Sequence, residues 1–469
     1  MTARSAHRTL SRPVDAMNVP RGIFRQYDIR GIVGKQLTPT LAHGLGQALA
    51  TVGWEQLGRA PELAVGRDNR PSGVDLSEGL VRGIQAAGGT AVDVGEMPTP
   101  ALYFATHAPG MDGGVQVTGS HNPPEYNGFK MVLGGKSLYG DAIQHLYEVM
   151  AHERWRIGNG SATADGGVLS RYQRAISQRH RLHRSVRVVV DCGNGVASLI
   201  AVALLESIGA EVIPLFCDSD GSFPNHHPDP TVVENLRDLQ REVRRTGAEL
   251  GIAFDGDGDR IGAVDEQGDV VFGDQLLVLY GRDMVRRLGP GRAVIFDVKC
   301  SEVLPVALRD AGAVPVMWKT GHSLIKARMS ELDAPLAGEM SGHMFFGGDW
   351  YGFDDALFAA ARLLEIVSAG QGGLASLLAD LPRTVATPEI RVDCPEDHKF
   401  NIVEQAAAHF SARYPVNTLD GVRITFSDGW GLIRASNTQP VLVLRFEASD
   451  RGALAAHEAE VRDWLRAHI

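Results

Sequence analysis

The stretch Gly114-Val115-Gln116-Val117-Thr118-Gly119-Ser120-His121-Asn122-Pro123 joins an apolar, strand-like approach to a turn of small residues. A turn of this kind at a strand end presents one hydroxyl, that of Ser120, from a rigid position. Asn122 and Pro123 stiffen the exit and His121 stands beside the serine. Taken alone, it is an ordinary Ser/Asn/Pro turn. Upstream, the pattern alternates. Helical spacing over Thr40 to Val52 gives way to Leu63-Ala64-Val65-Gly66, which runs into Arg67-Asp68-Asn69-Arg70. A helix over Asp75 to Ala87, a strand over Thr90 to Val94 and a helix over Pro100 to His107 follow. Strand–helix alternation at this spacing predicts βαβ units and a mostly parallel sheet, with ligands beyond the carboxyl ends of the strands. Ser120 occupies such a position.

Nearer the start, Ile23-Phe24-Arg25-Gln26-Tyr27-Asp28-Ile29-Arg30-Gly31 looks like a strand feeding a loop. Arg25 and Arg30 suit bidentate contact with phosphate oxygens. Lys130, in Tyr126-Asn127-Gly128-Phe129-Lys130, can fold back towards Ser120 on a hairpin. A lysine in a closed cationic cleft can have its pKa lowered enough for acid–base work. A helix is expected from Asp141 to Arg156, and the small polar run Gly158 to Gly167 marks a first domain boundary.

Beyond it the plan repeats. Strand Val186 to Val190 meets a Gly-rich turn, then helices over Ala197 to Ile208 and Pro230 to Thr246. Strand Leu250 to Phe254 delivers Asp255-Gly256-Asp257-Gly258-Asp259-Arg260. Three alternating carboxylates separated by glycines can turn inward around one hard cation, and they repel one another without it. An EF-hand loop is excluded, because its sixth position, which needs Gly, is Arg260. Mg²⁺ is expected rather than Ca²⁺, and Arg260 adds positive charge. An aspartyl nucleophile at Asp255, of the haloacid-dehalogenase kind, stays open on this fragment.

A third unit of the same plan carries Lys299 after one strand and Lys319-Thr320-Gly321-His322-Ser323 after the next. It ends in Gly338-Glu339-Met340-Ser341-Gly342-His343, where Glu339, Ser341 and His343 alternate. On an extended segment they would share a face suited to sugar hydroxyls. The last unit reads as α+β. Its segment Arg434-Ala435-Ser436-Asn437-Thr438-Gln439-Pro440 offers an arginine, hydroxyls and an amide as a phosphate cradle.

Composition bounds the partners. The chain has 469 residues, 44% hydrophobic and 22% charged, with a net charge of −10. That fits several domains of an ordinary globular enzyme and argues against nucleic-acid binding. Cys192, Cys217, Cys300 and Cys394 form no CxxC pair and read as free buried thiols of a reducing compartment. No run is apolar enough for a membrane span. The first twenty residues carry Arg4, Arg8 and Arg12 without an apolar core, so a loose tail and a cytoplasmic location are expected.

Together these clusters resemble the α-D-phosphohexomutase superfamily, most of all its bacterial phosphomannomutase/phosphoglucomutase group. The resemblance rests on Tyr27 to Gly31, Thr118 to Pro123, Asp255 to Arg260, Gly338 to His343 and Arg434 to Pro440, in that order. It implies an α/β fold: three similar mixed-sheet domains and a C-terminal α+β domain around a central cleft. The expected bounds are a tail over 1–20 and domains over 21–166, 167–269, 270–382 and 383–469. It implies a phosphoserine at Ser120, which binds Mg²⁺ with Asp255, Asp257 and Asp259. It further implies catalytic roles for Arg30, His121, Lys130, Arg260 and His322. Tyr27, Lys299, Gly321, His322, Glu339, Ser341 and His343 would contact the sugar phosphate, and Arg434, Ser436, Asn437 and Thr438 its non-reacting phosphate. The implied reaction interconverts mannose or glucose 1- and 6-phosphates through a 1,6-bisphosphate, with glucose 1,6-bisphosphate as activator and the protein a monomer. Gly119 and Met340 replace residues usual in phosphoglucosamine mutases, the alternative enzyme. An inactive phosphosugar-binding protein and a Mg²⁺-dependent phosphatase using Asp255 are the rivals of other classes.

Overall fold

The computed structural model describes residues 19–436 and 440–469. Asn437, Thr438 and the tail over 1–18 lie outside the described residues. Four sheets follow one another along the chain. In the first, Glu62–Arg67 runs parallel to Thr90–Glu96 and to Gly113–Val117. Gly113–Val117 then pairs antiparallel with Tyr126–Leu133, which pairs antiparallel with Ile29–Ile32. The second sheet sets Leu250–Phe254 and Glu211–Leu215 parallel to Arg187–Asp191, and Ile261–Asp265 antiparallel to Leu250–Phe254. In the third, Ala293–Asp297 lies parallel to Val314–Trp318 and Leu336–Gly338, and Met344–Phe346 closes antiparallel on Leu336–Gly338. The fourth sheet is antiparallel, with Gly429–Ala435 and Val441–Ala448 at its centre.

One feature recurs. In each α/β unit, one parallel strand hydrogen-bonds to the antiparallel strand that follows it in sequence, and the turn between them carries a cluster noted above. These turns hold Ser120, then Asp255 to Arg260, then Glu339 to His343. Arg434 and Ser436 likewise stand at the end of Gly429–Ala435, one of the two central strands of the fourth sheet. Mixed sheets of this kind put polar turns at one edge, while the apolar strand interiors stay buried against helices.

Packing divides the molecule unevenly. A single apolar cluster runs through the first three units, from Ala64 and Leu102 through Tyr172, Val190 and Leu204 to Phe296 and Phe358. The fourth unit keeps its own core around Phe410, Ile433, Phe446 and Leu465. It meets the third unit through Val298, Trp430 and Leu432.

Several local expectations change. The polar run read as a domain boundary contains the strand Ser161–Ala164, which pairs parallel with Thr90–Glu96. It is an exposed edge strand, so it shows no apolar alternation. The helix expected to reach Arg156 stops at Ala151, and Glu153 takes a positive φ. The helix expected from Pro230 starts as a 3-10 turn over Val233–Leu236 and becomes α-helical only at Arg237. There the Asp229 carboxylate captures Thr231 N and Oγ1, a local bond that competes with helix formation. Among the thiols, Cys217 is only partly buried, and its sulfur touches that of Cys192. No described helix is long and apolar enough to cross a membrane.

Candidate active site

Ser120 has φ of +47°, a left-handed conformation that costs a non-glycine residue energy and persists only when its surroundings over-determine it. Those surroundings are Asp68 and Arg70. Asp68 Oδ2 accepts from Thr118 Oγ1 at 2.7 Å and from Gly119 N at 3.1 Å, and Thr118 Oγ1 accepts from Ser120 N at 2.8 Å. The buried Arg70 guanidinium donates to the carbonyls of Ser120, Asn122, Pro123 and Tyr126 at 2.6–3.0 Å, and to Asp68 Oδ2 at 3.2 Å. The serine is not exposed as the turn alone suggests. It is 2% exposed, because the metal-loop turn of the second unit closes over it. Its Oγ donates to Asp255 Oδ2 at 2.9 Å and lies 3.1 Å from His121 Nδ1. Arg30 supports the same turn, donating to Gly119 O at 2.8 Å and Asn122 Oδ1 at 2.6 Å while pairing with Asp28.

Asp255, Asp257 and Asp259 are fully buried, with carboxylate oxygens within 4.8 Å of one another. Asp255 Oδ1 accepts from the backbone N–H groups of Asp259 and Arg260, which turns the loop inward. Asp257 Oδ2 accepts from Thr99 Oγ1 and, at 2.7 Å, from Lys130 Nζ. Lys130 also pairs with Asp259. Burial and the charges of Asp257 and Asp259 push the Asp255 carboxyl well above its ordinary value. Asp259 goes well below, since Lys130 and His343 outweigh its burial. The buried Asp257 Oδ1 has no hydrogen-bond partner among the described residues. Three convergent carboxylates, two of them with a buried oxygen that no described hydrogen bond satisfies, fit a hard divalent cation.

For Lys130 the expected direction is reversed. Burial pulls its pKa down, but the carboxylates of Asp257 and Asp259 prevail and raise it. The ammonium is therefore held charged in this arrangement.

The loop from Glu339 to His343 is not the extended segment expected. Glu339 N donates to His343 O and Gly342 N to Glu339 O, which makes residues 339–343 a tight turn. The turn still gathers its side chains. Glu339 Oε2 lies 2.7 Å from His343 Nδ1, and Ser341 Oγ 3.1 Å from the same nitrogen. Burial disfavours the His343 imidazolium, but Asp259, 3.3 Å from Nε2, and Glu339 raise its pKa to about 9. Burial would lift Glu339, but His343 and Lys299 draw it down to about 2. Arg260 Nε stands 3.2 Å from His343 Nε2, so this turn abuts the metal loop.

Between the first and third units, Tyr27 O–H donates to Thr320 O at 2.9 Å. Gly321 has φ of +135°, and a Cβ there would fall 2.6 Å from the Tyr27 ring, so only glycine allows this approach. Gly321 N donates to Glu339 Oε1 at 2.6 Å. His322 opens the helix His322–Leu332, with Nδ1 3.4 Å from Asp354 Oδ2. Burial, then Lys326 and Lys130, hold it well below its ordinary pKa. Lys299, Arg434 and Ser436 form a second group where the third and fourth units meet. Lys299 Nζ lies 3.4 Å from Glu389 Oε2. Arg434 Nε donates to Asp420 Oδ2 at 2.7 Å, and Thr320 N donates to the same oxygen at 2.9 Å. The Ser436 carbonyl accepts from Lys399 Nζ at 2.5 Å.

Four sequence families match in order. They are phosphoglucomutase/phosphomannomutase alpha/beta/alpha domain I over residues 21–156, domain II over 170–268, domain III over 272–385 and the C-terminal domain over 389–463. The chain belongs to the phosphoglucomutase/phosphomannomutase family. It is 48% identical over 456 residues to a phosphomannomutase/phosphoglucomutase of Pseudomonas aeruginosa, covering 96% of this chain and 97% of the relative. It is 45% identical over 442 residues to a phosphoglucomutase of Neisseria gonorrhoeae, covering 93% and 95%. A solved phosphoglucomutase/phosphomannomutase family structure from Burkholderia thailandensis superposes with a TM-score of 0.90 at 44% identity, covering 96% and 98%.

Within this family member, reading from sequence missed the residues that hold the site from behind. Arg70 and Asp68 stood in plain view in Arg67-Asp68-Asn69-Arg70, a charged cluster after a buried strand. Only the tertiary contacts disclose that they clasp the serine turn. Asp354 and Asp420 carried no motif at all.

Proposed function

We propose that this protein is a phosphohexomutase that interconverts the 1- and 6-phosphates of mannose and glucose, acting as a cytoplasmic monomer. The observation that carries this reading is Ser120 Oγ lying 2.9 Å from Asp255, at the mouth of three buried carboxylates. A basic group of Lys299 and Arg434 stands apart from it at the third and fourth units. A nucleophilic hydroxyl at one end and a phosphate-holding group at the other suit a substrate phosphorylated at either end.

In this reading Ser120 carries a phosphoryl group and gives it to the free hydroxyl of a bound hexose phosphate. The serine P–O bond breaks, a sugar P–O bond forms, and a 1,6-bisphosphate results. His121 Nδ1, 3.1 Å from Ser120 Oγ, is within reach to exchange the serine proton. His322, which its surroundings hold neutral, is the candidate to take the sugar hydroxyl's proton, while the Lys130 ammonium adds fixed positive charge. The bisphosphate turns over, and its other phosphoryl group returns to Ser120. Asp255, Asp257 and Asp259 would hold Mg²⁺, which supplies charge neutralisation for the transferring phosphoryl group. Arg260 and Arg30 add fixed positive charge or brace the turn. Tyr27, Gly321, Glu339, Ser341 and His343 would orient the sugar. Arg434 and Ser436, together with Asn437 and Thr438, would hold the non-reacting phosphate.

The test is turnover of glucose, mannose and glucosamine 1-phosphates with Mg²⁺ and a trace of glucose 1,6-bisphosphate. The first two should convert to 6-phosphates, with activity abolished by chelation, restored by Mg²⁺ and largely lost in Ser120→Ala. Dominant turnover of glucosamine 1-phosphate would favour phosphoglucosamine mutase. Phosphate release surviving in Ser120→Ala would point instead to Asp255 as nucleophile.

A further inference from the structure

The sulfurs of Cys192 and Cys217 lie 3.2 Å apart, and neither thiol has a part in the reaction above. They sit at the carboxyl ends of the neighbouring parallel strands Arg187–Asp191 and Glu211–Leu215. Phe216, with φ of +49°, turns the chain so that the Cys217 side chain points back over the strand ends towards Val190 O and Leu215 O. Cys192 is buried, whereas Cys217 is partly exposed and open to a small oxidant.

The two short loops that follow these cysteines brace the site. Gly195 N donates to Cys192 O, and Val196 N donates to Gly256 O inside the metal loop. Asn194 N donates to Phe216 O, and its side chain to Asp218 O, so the loops are tied together. Asn69, one residue before the arginine that clasps the serine turn, donates to Asn194 O at 2.7 Å and to Ser219 Oγ at 2.9 Å.

We infer that Cys192 and Cys217 are a modification site, forming a reversible disulfide when the protein meets a peroxide, and that the bond displaces the loops bracing the metal and serine turns. Cys217 attacks one peroxide oxygen. The O–O bond breaks, a sulfenic acid forms on Cys217, and the other oxygen leaves as water. Cys192 then attacks the Cys217 sulfur. An S–S bond forms, the S–OH bond breaks, and a second water leaves with the Cys192 proton. Two thiols and one hydrogen peroxide give one disulfide and two waters. The Cys217 thiol is favoured as first nucleophile, because hydrogen bonding from Cys192 holds its pKa down while the buried Cys192 thiol is pushed up. Closing the bond requires roughly 1 Å of approach between the sulfurs. Its first-order effect falls on Cys192, four residues before Val196, whose N–H donates to Gly256 O.

The bond itself is independent of the assigned activity, whereas its consequence rests on the proposed mutase function. The experiment treats reduced full-length protein with hydrogen peroxide, blocks remaining thiols under denaturing conditions and maps the peptides. Mutase activity is read on the same samples before and after a dithiol. The expected result is one linkage joining Cys192 to Cys217, with activity falling roughly tenfold to a hundredfold, the scale that a displaced catalytic loop costs. The dithiol should restore it. Cys217→Ser should stay active through the same treatment, and Cys192→Ala should leave a trappable sulfenic acid on Cys217. Free, alkylatable Cys192 and Cys217 after peroxide would overturn the inference. So would a linked protein of full activity, or a Cys217→Ser variant inactivated as fast as wild type. A reduced wild type without mutase activity would count against the proposed function, and the peptide map would still decide the bond.

Discussion

Arg70 is the residue on which the geometry of the serine turn depends. A single planar guanidinium ties together four carbonyls of the turn and the Asp68 carboxylate, and it stacks over Phe223 of the second unit at 5.1 Å. Lysine cannot reproduce that fork, since an ammonium is a point charge with three donors. Arg70→Ala would leave Asp68 buried without its partner and is expected to cost about 3–5 kcal/mol, read as a lowered thermal midpoint. Arg70→Lys should hold more of the stability while kcat falls and KM changes little, because the groups proposed to bind sugar and phosphate lie elsewhere. Gly119 belongs to the same device. A Cβ at Gly119 would lie 2.4 Å from the Arg70 guanidinium carbon. That guanidinium is pinned on every side, so Gly119→Ala must displace it, and kcat should fall in the same direction. Steady-state kinetics of the three variants would check this order.

At the scale of elements, the helix Ala356–Ser368 is fixed by its first cap. Asp355 Oδ1 accepts from Phe358 N at 2.9 Å and from Tyr172 O–H at 2.7 Å, and Oδ2 accepts from Trp350 Nε1 at 2.9 Å. This carboxyl therefore fastens a helix of the third unit to the helix Val168–Ser177 of the second. Burial lifts its pKa to about 7, even though the three hydrogen bonds oppose the shift. The sign follows from linkage. The folded state keeps the proton longer than the unfolded state, so this group's contribution is fully present below the unfolded carboxylate pKa. It is lost as pH rises through about 7. A shift of this size is worth at most about 4 kcal/mol. Asp355→Asn should lower stability at low pH and flatten the fall in thermal midpoint between acid and neutral pH. Parallel pH series on wild type and variant would measure the difference.

For the whole molecule, the uneven distribution of apolar packing sets what can move. One apolar cluster joins the first three units, beside a further core of the first around Leu45, Leu80 and Phe129, and the fourth keeps its own. The fourth unit docks by arginines rather than by a broad apolar face. Arg423 donates to the carbonyls of Val298 and Cys300 and to Glu302, with its guanidinium 3.6 Å from the Trp430 ring centroid. Arg445 donates to Lys299 O at 2.7 Å. Such an interface is polar enough to open and close around a substrate. Arg423→Ala should loosen it, giving a larger radius of gyration by small-angle scattering. KM should rise by about tenfold, the loss of about 1.4 kcal/mol of binding, with a smaller effect on kcat. A variant of unchanged dimensions and unchanged KM would show that this contact does not position the fourth unit.

The sequence alone determined much of this protein, because the signals concerned are local. Alternating strands and helices announced three α/β units, and the Gly-separated carboxylates of Asp255 to Asp259 announced a cation site whatever lay around them. Ser120, Glu339 and His343 were legible because each lies in a polar turn that interrupts an apolar run, and Arg434 because it stands at the polar end of the strand Gly429–Ala435. The tertiary structure decided what depends on residues far apart in the chain. It set the direction of the Lys130 pKa, since only folding places its ammonium between Asp257 and Asp259, more than a hundred positions away. Assignment of Arg70 to the serine turn, of Asp355 to two units at once and of Cys217 to Cys192 also waited for the fold. None of these contacts has a period or a motif, because each arises where separate strand ends and helix ends converge.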